Sequence, residues 1–135
     1  VTNSTFIAGT LATVPGNRVF MAGSQLRDYD GAAFDRQAFA TIARMQVDRA
    51  ILTASKVDPR RGFVAYAPGE ADIAEAMQEI AGATIMAADH SKFGPAAAGG
   101  GQFALPLRPG SLVATDRDPG PEFAAILRPH VLALP

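Results

Sequence analysis

Short apolar runs alternate along the chain with longer stretches whose apolar residues recur every three or four positions. Five runs stand out: Arg18–Ala22 ("RVFMA"), Ala50–Thr53 ("AILT"), Thr84–Ala88 ("TIMAA"), Ser111–Thr115 ("SLVAT") and Val131–Leu134 ("VLAL"). They are short and lack polar alternation, which predicts strands buried on both faces of a parallel sheet. Val1–Thr2 reads as the end of a further strand. Between the runs the spacing becomes helical. Ser4 is placed to cap a helix over Thr5–Leu11, with Ile7 and Leu11 on one face. Arg36–Met45 presents Phe39, Ile42 and Met45, and Glu70–Ile80 presents Ile73, Met77 and Ile80. Pro68 and Gly69 precede the latter helix, and Glu70 falls in its first turn, where a carboxylate meets the positive end of the helix dipole. Pro121–Leu127 reads as a last, shorter helix. These apolar stripes are expected to be core contacts.

Strand–helix alternation predicts an α/β fold: a mostly parallel sheet flanked by helices on both faces, joined by right-handed crossovers. Pro95–Gly101 ("PAAAGGG") has no periodicity and is expected to be a flexible loop. The following "FALPLRPG" contains Pro106 and Pro109, which predicts a short edge strand or an extended connection. No internal repeat is visible.

Open α/β sheets bind ligands beyond the carboxyl ends of their strands, so the residues that follow each run are the candidate chemistry. They are Asn3 and Ser4; Gly23 and Ser24; Ala54, Ser55 and Lys56; Asp89, His90, Ser91 and Lys92; and Asp116. If the strands are parallel, these residues share one edge. Asn3 and Ser4 precede a helix N-terminus, whose free N–H groups favour an anion. Lys56 and Lys92 bring positive charge, Asp89 accepts from hydroxyls, and small residues at Gly23 and Ser24 let a ligand approach the backbone. Hydroxyl acceptors beside an anion site describe a sugar phosphate or a similar polyol phosphate. Structural roles compete for the same residues. Asp89 and Ser91 suit turn caps, Lys56 suits a solvated loop, His90 suits a turn, and His130, just after Pro129, fits no catalytic set. "NST" at Asn3 matches a glycosylation sequon, a pattern common by chance.

Composition narrows the field. The chain has 135 residues, 48% of them hydrophobic, enough for one domain with a core. Net charge is -1 with Lys and Arg scattered, so no basic stripe for nucleic acid is present. The absence of cysteine excludes disulfides and thiolate metal sites. No His pair has metal-ligand spacing, and no metal or cofactor is expected. No apolar run approaches the roughly 18–20 residues of a membrane span, and no signal peptide is visible. The chain opens in "VTNS" without an initiator Met, from which a piece of a longer protein is expected.

The ordered blocks "VTNSTFIAGTL", "VFMAGSQLR", "QAFATIARMQVDRAIL", "GFVAYAPGEADIAEAM" and "ADHSKFG" resemble the C-terminal effector-sensing domain of DeoR-type bacterial transcription repressors. "SLVATDRDPG" and "VLAL" fit that family's last strands. The resemblance implies a fold like that of ribose-5-phosphate isomerases and CoA transferases, used to sense and not to catalyse. It implies a phosphorylated sugar or related metabolite as effector, DNA contacted only through a helix-turn-helix domain absent from this chain, a cytoplasmic location and a homo-oligomer. It also implies that the sensor's first strand–turn–helix unit lies upstream of Val1. Asp48, Glu70, Asp89 and Lys92 match the family pattern. Asp48 precedes its strand and is read as structural. The ligand-binding residues expected on these grounds are Asn3, Ser4, Gly23, Ser55, Lys56, Glu70, Asp89 and Lys92. Three departures qualify the resemblance. Gly23-Ser24 stands for a double glycine, and Asp35-Arg36 for Gly-Pro. Thr53-Ala54-Ser55-Lys56-Val57 stands for a "G-A-D-G-I"-like loop, so that Lys56 either fills the pocket or reaches a phosphate. Two other classes remain in view: a sugar-phosphate isomerase-like enzyme with Glu70 or Asp89 as base and Lys92 as donor, and a degenerate oligomerisation domain that no longer binds.

Overall fold

The computed structural model describes residues 1–97 and 102–135, and the chain divides into two compact units, Val1–Gln46 and Val47–Pro135. The first unit is built on α1 (Thr5–Ala12) and α2 (Arg36–Ile42). Both helices start where a short polar side chain satisfies a free first-turn N–H. Ser4 accepts from the Ile7 amide at 3.4 Å, and Asp35 from the Ala38 amide at 2.8 Å. Ala22, Ala33, Ala38 and Ile42 are fully buried.

Three expectations fail in this unit. Arg18–Ala22 forms no strand. Only Met21 bridges, in parallel, to Thr2, with Ala22 N–H donating to the Thr2 carbonyl at 2.7 Å. A ladder needs a partner of matching length, and the "RVFMA" run meets one residue. The helix α1 buries none of its residues, and Ile7 and Leu11 are exposed, so its apolar spacing does not mark a core face. The helix α2 stops at Ile42, short of Met45: Ala43 closes it, and Met45 N–H turns back to the Ile42 carbonyl at 2.9 Å.

The second unit carries the sheet. Its elements are β1 (Val47–Thr53), β2 (Lys56–Asp58), β3 (Gly62–Ala65), α3 (Pro68–Glu79), β4 (Ala81–Ala87), β5 (Phe103–Ala104), β6 (Leu112–Ala114), α4 (Ala124–Leu127) and β7 (Val131–Ala133). Four strands form a parallel sheet in the order β1-β4-β6-β7, with Ile51 opposite Ile85 and Met86 opposite Val113. This is the mixed α/β architecture with a parallel sheet that the pattern predicts, and each of its strands overlaps an apolar run. The strands are not apolar-buried throughout, however. Ala50 and Leu52 are buried while Ile51 between them is 70% exposed. The helix α3 runs as foreseen, with Ile73 and Ala74 buried and Met77 packed on the core. The predicted last helix divides into a 3₁₀ turn, Pro121–Phe123, and the four-residue α4.

A second sheet, antiparallel in the order β2-β3-β5, was not expected. Its hairpin turns on Asp58, whose carboxylate accepts from the amides of Arg60 and Arg61 at 2.8 and 2.9 Å. The strand β5 forms its edge, as expected for the start of "FALPLRPG", and pairs only over Phe103 and Ala104 before Pro106. Of the predicted flexible loop Pro95–Gly101, residues 98–101 lie outside the described residues, and Pro95–Ala97 have no regular structure. Among the described residues no helix is long and apolar enough to cross a membrane.

Candidate functional site

The parallel strands β1, β4 and β6 deliver three segments to one edge: Ala54–Lys56, Ala88–Lys92 and Thr115–Arg117. The middle segment is the most shaped. Ala88 is buried at the end of β4, and its N–H donates to the Ala114 carbonyl at 2.9 Å, which ties the end of β4 to the end of β6. Asp89 is extended and caps the single 3₁₀ turn His90–Lys92, accepting from the Ser91 amide at 2.8 Å. The Ser91 hydroxyl and amide hold the Asp89 carboxyl below its ordinary value; Lys92 adds to the effect and Asp116 opposes it.

Two neighbours grip this turn from opposite sides. On one, the Lys56 ammonium donates to the Ser91 carbonyl at 2.8 Å, Val57 bridges Phe93, and Gly94 N–H donates to the Val57 carbonyl at 3.0 Å. Lys56 is thus a strut along the turn. On the other, Asp116 takes the His90 amide on Oδ1 and faces His90 Nδ1 with Oδ2, both at 2.5 Å. The His90 ring, more than the backbone contact, holds the Asp116 carboxyl below its ordinary value. His90 is a turn residue, as read from sequence, but it is also the most closely bonded one.

Ser55 and Glu70 also come together. The Ser55 hydroxyl donates to Glu70 Oε2 at 3.3 Å and accepts from the Tyr66 amide at 3.3 Å. Glu70 remains in the first turn of α3, with Oε2 accepting from Ser55.

Asn3, Ser4 and Gly23 belong to the first unit, and each has a packing or bonding task there. Asn3 Nδ2 donates to the Ala33 carbonyl at 2.9 Å. Ser4 spends its hydroxyl on the α1 cap. Gly23 has φ +103°, and a Cβ there would sit 2.2 Å from the Ala33 Cβ, so close packing accounts for the glycine without a ligand.

A cavity of about 260 Å³ opens beside the same turn, lined by His90, Phe93, Arg117, Glu122 and Phe123 among others. Phe93 and Phe123 meet edge-to-face at 5.2 Å in its wall. None of the eight residues expected to bind ligand lines it. Asp116 was visible from sequence only as the residue following a strand; nothing local marks its reach to a turn 26 positions away. No group of three or more His, Cys, Asp or Glu able to hold a metal occurs among the described residues.

Comparison with known proteins adds a family to this geometry. The family model for the DeoR C-terminal sensor domain matches residues 1–99. A glycerol-3-phosphate regulon repressor of Escherichia coli (strain K12) is 30% identical over 94 residues, covering 70% of this chain and 37% of the relative. The transcriptional repressor AccR of Agrobacterium fabrum (strain C58) is 32% identical over 98 residues, covering 67% of this chain and 38% of the relative. The chain thus spans under two fifths of the length of these relatives.

Proposed function

This chain belongs to the DeoR C-terminal sensor domain family, and from that premise we propose that it is the effector-binding part of a cytoplasmic, self-associating transcriptional repressor that responds to a phosphorylated sugar or a related polyol phosphate. The protein would contact DNA through a further domain outside this chain. One observation carries the reading: parallel strands β1, β4 and β6 end at one edge, beside a turn that the Asp89 carboxylate caps and Lys92 closes. Lys92 would meet the phosphate and Asp89 the hydroxyls, with Ser55, Lys56 and Glu70 bordering them. In the first unit, the side-chain positions of Asn3, Ser4 and Gly23 are already in use.

The reading is tested by thermal unfolding of the intact protein with glycerol 3-phosphate, ribose 5-phosphate and glucose 6-phosphate, and with inorganic phosphate as control. A true effector at a hundredfold excess over its dissociation constant stabilises the folded state by about 2.7 kcal/mol. That shift is expected to vanish in Lys92→Met. A panel without any response overturns the proposal.

One observation favours a second reading, a sensor fold that has ceased to bind. Lys56 is tied to Ser91 and Ser55 to Glu70, so part of the expected contact set is satisfied internally. The same panel decides between the two.

A further inference from the structure

We propose that Asp116 is the positioning residue of the "ADHSKFG" turn: it sets the orientation in which Asp89 and Lys92 are presented, without touching a ligand itself. The inference deepens the sensor reading and rests on it for the ligand's part in the test.

The geometry is a two-point grip on one residue. Asp116 Oδ1 accepts from the His90 backbone amide and Oδ2 faces the His90 ring at Nδ1, each at 2.5 Å. The first contact fixes where the turn begins, since His90 opens the 3₁₀ turn that Lys92 closes. The second fixes the ring. A carboxylate facing Nδ1 selects the tautomer with its proton there and leaves Nε2 as an acceptor in the neutral ring. Asp116 can do this because β6 runs parallel to β4, and the Ala88 amide bonds the Ala114 carbonyl at 2.9 Å. That bond places a side chain two residues beyond β6 over the turn that leaves β4.

Bulk stability does not account for this pair. His90 and Asp116 side chains are 47% and 41% exposed, and ion pairs that exposed contribute little to folding. Asp116 Oδ2 also has a looser neighbour, the exposed Arg117 Nε at 3.8 Å, against 2.5 Å for the His90 ring. The effect of the carboxylate is therefore local, on one turn.

The test uses the intact protein with Asp116→Ala and Asp116→Asn. Asp116→Ala is expected to speed amide exchange at His90, Ser91, Lys92 and Phe93 by roughly tenfold, with exchange in β1 and β4 unchanged. The melting temperature should stay within about 2 °C of wild type. Asp116→Asn keeps an acceptor for the His90 amide and should restore part of the protection. Nitrogen-15 spectra of the His90 ring should show the Nδ1-protonated tautomer in wild type and its loss in both variants. The thermal response to the most effective compound of the panel should fall in the order wild type, Asp116→Asn, Asp116→Ala. Unchanged exchange across the turn in Asp116→Ala overturns the proposal, and so does faster exchange with an undiminished ligand response. A wild type that responds to no compound overturns the sensor reading alone. The exchange and tautomer measurements then still decide whether Asp116 sets the turn.

Discussion

The chain's two histidines stand at opposite ends of the same parallel sheet and live under opposite rules. His90 follows β4, half exposed, with its ring against a carboxylate. His130 precedes β7, with Nδ1 buried and without a hydrogen-bond partner among the described residues, its ring edge-on to Phe63 at 5.8 Å. Burial pushes the His130 pKa down, against a weaker upward pull from the Arg108 backbone. Around it the chain is closed by backbone bonds: Gly110 N–H to the Pro129 carbonyl at 2.7 Å and Val131 N–H to the Ser111 carbonyl at 3.0 Å. The carboxyl end of the sheet is held by side chains that reach one another across exposed turns. The loops before β6 and β7, around His130, are held by backbone bonds and by the packing of its ring on buried Phe63. Exposed side-chain contacts of the first kind are expected to cost less when removed than buried contacts of the second.

The sharpest way to break this contrast is at the buried end. Phe63 is 4% exposed, belongs to the main core cluster and carries the ring against His130. Phe63→Ala is expected to cost about 3–5 kcal/mol in urea unfolding. Gln78 comes next. It is buried, and its amide bridges the Pro106 carbonyl at 2.9 Å and the Arg108 amide at 3.1 Å. Gln78→Ala strands both groups and should cost about 1–3 kcal/mol. A cost near zero at either position would show that the amino end is not the supporting one.

His130 supplies a pH signature for the same end. Its folded pKa lies below its unfolded value, so the unfolded chain takes up the proton first. Stability is therefore unaffected by this group above about pH 6.5 and declines as pH falls from there toward the lowered folded value. The carboxylates Asp35 and Asp58, both held low by backbone amides, lose their contribution only at more acid pH, below about 4. Urea unfolding at pH 7.5 and 5.5 should show a decline that His130→Gln removes. An equal decline in that variant would place the titration elsewhere.

What sequence reveals divides along the same line. Thr84–Ala88 and Ser111–Thr115 were legible as strands because buried parallel strands need continuous apolar runs, and β4 and β6 lie within or across them. The hairpin Lys56–Ala65 was not legible, because Lys56, Asp58 and the Arg60-Arg61 pair interrupt the pattern, and Asp58 organises the turn through backbone amides. The helix α1 shows the reverse failure: Ile7 and Leu11 keep helical spacing, yet none of its residues is buried, since spacing specifies a stripe and not what covers it. At the candidate site, the "ADHSKFG" cluster and its neighbours were read as residues that follow strands, and the family resemblance singled out Asp89 and Lys92 among them. The packing reason for Gly23 was not legible, because the Ala33 methyl that demands a glycine lies ten positions away in sequence. Asp116 and Lys56 act on the turn from 26 and 35 positions away, distances over which no local pattern carries information.

The smallest expected effect on stability is the most informative about the site. Lys56 stands where the family resemblance leads one to expect a glycine, and its ammonium bonds the Ser91 carbonyl at 2.8 Å from a partly exposed position. Lys56→Met keeps the aliphatic stem beside Gly94 and removes only the charge and the hydrogen bond. A surface change of that kind should alter unfolding free energy by no more than about 0.5 kcal/mol. The response to phosphorylated compounds should still weaken, because the variant loses one cation near Lys92 and one of the two grips on the turn. If Lys56→Met instead destabilised the protein as much as Gln78→Ala, Lys56 would be a core strut. The two ends of the sheet would then differ in exposure but not in kind. If it left stability intact and strengthened the ligand response, Lys56 would be an obstruction in the site, and the glycine of the resembling family would be the better binding residue.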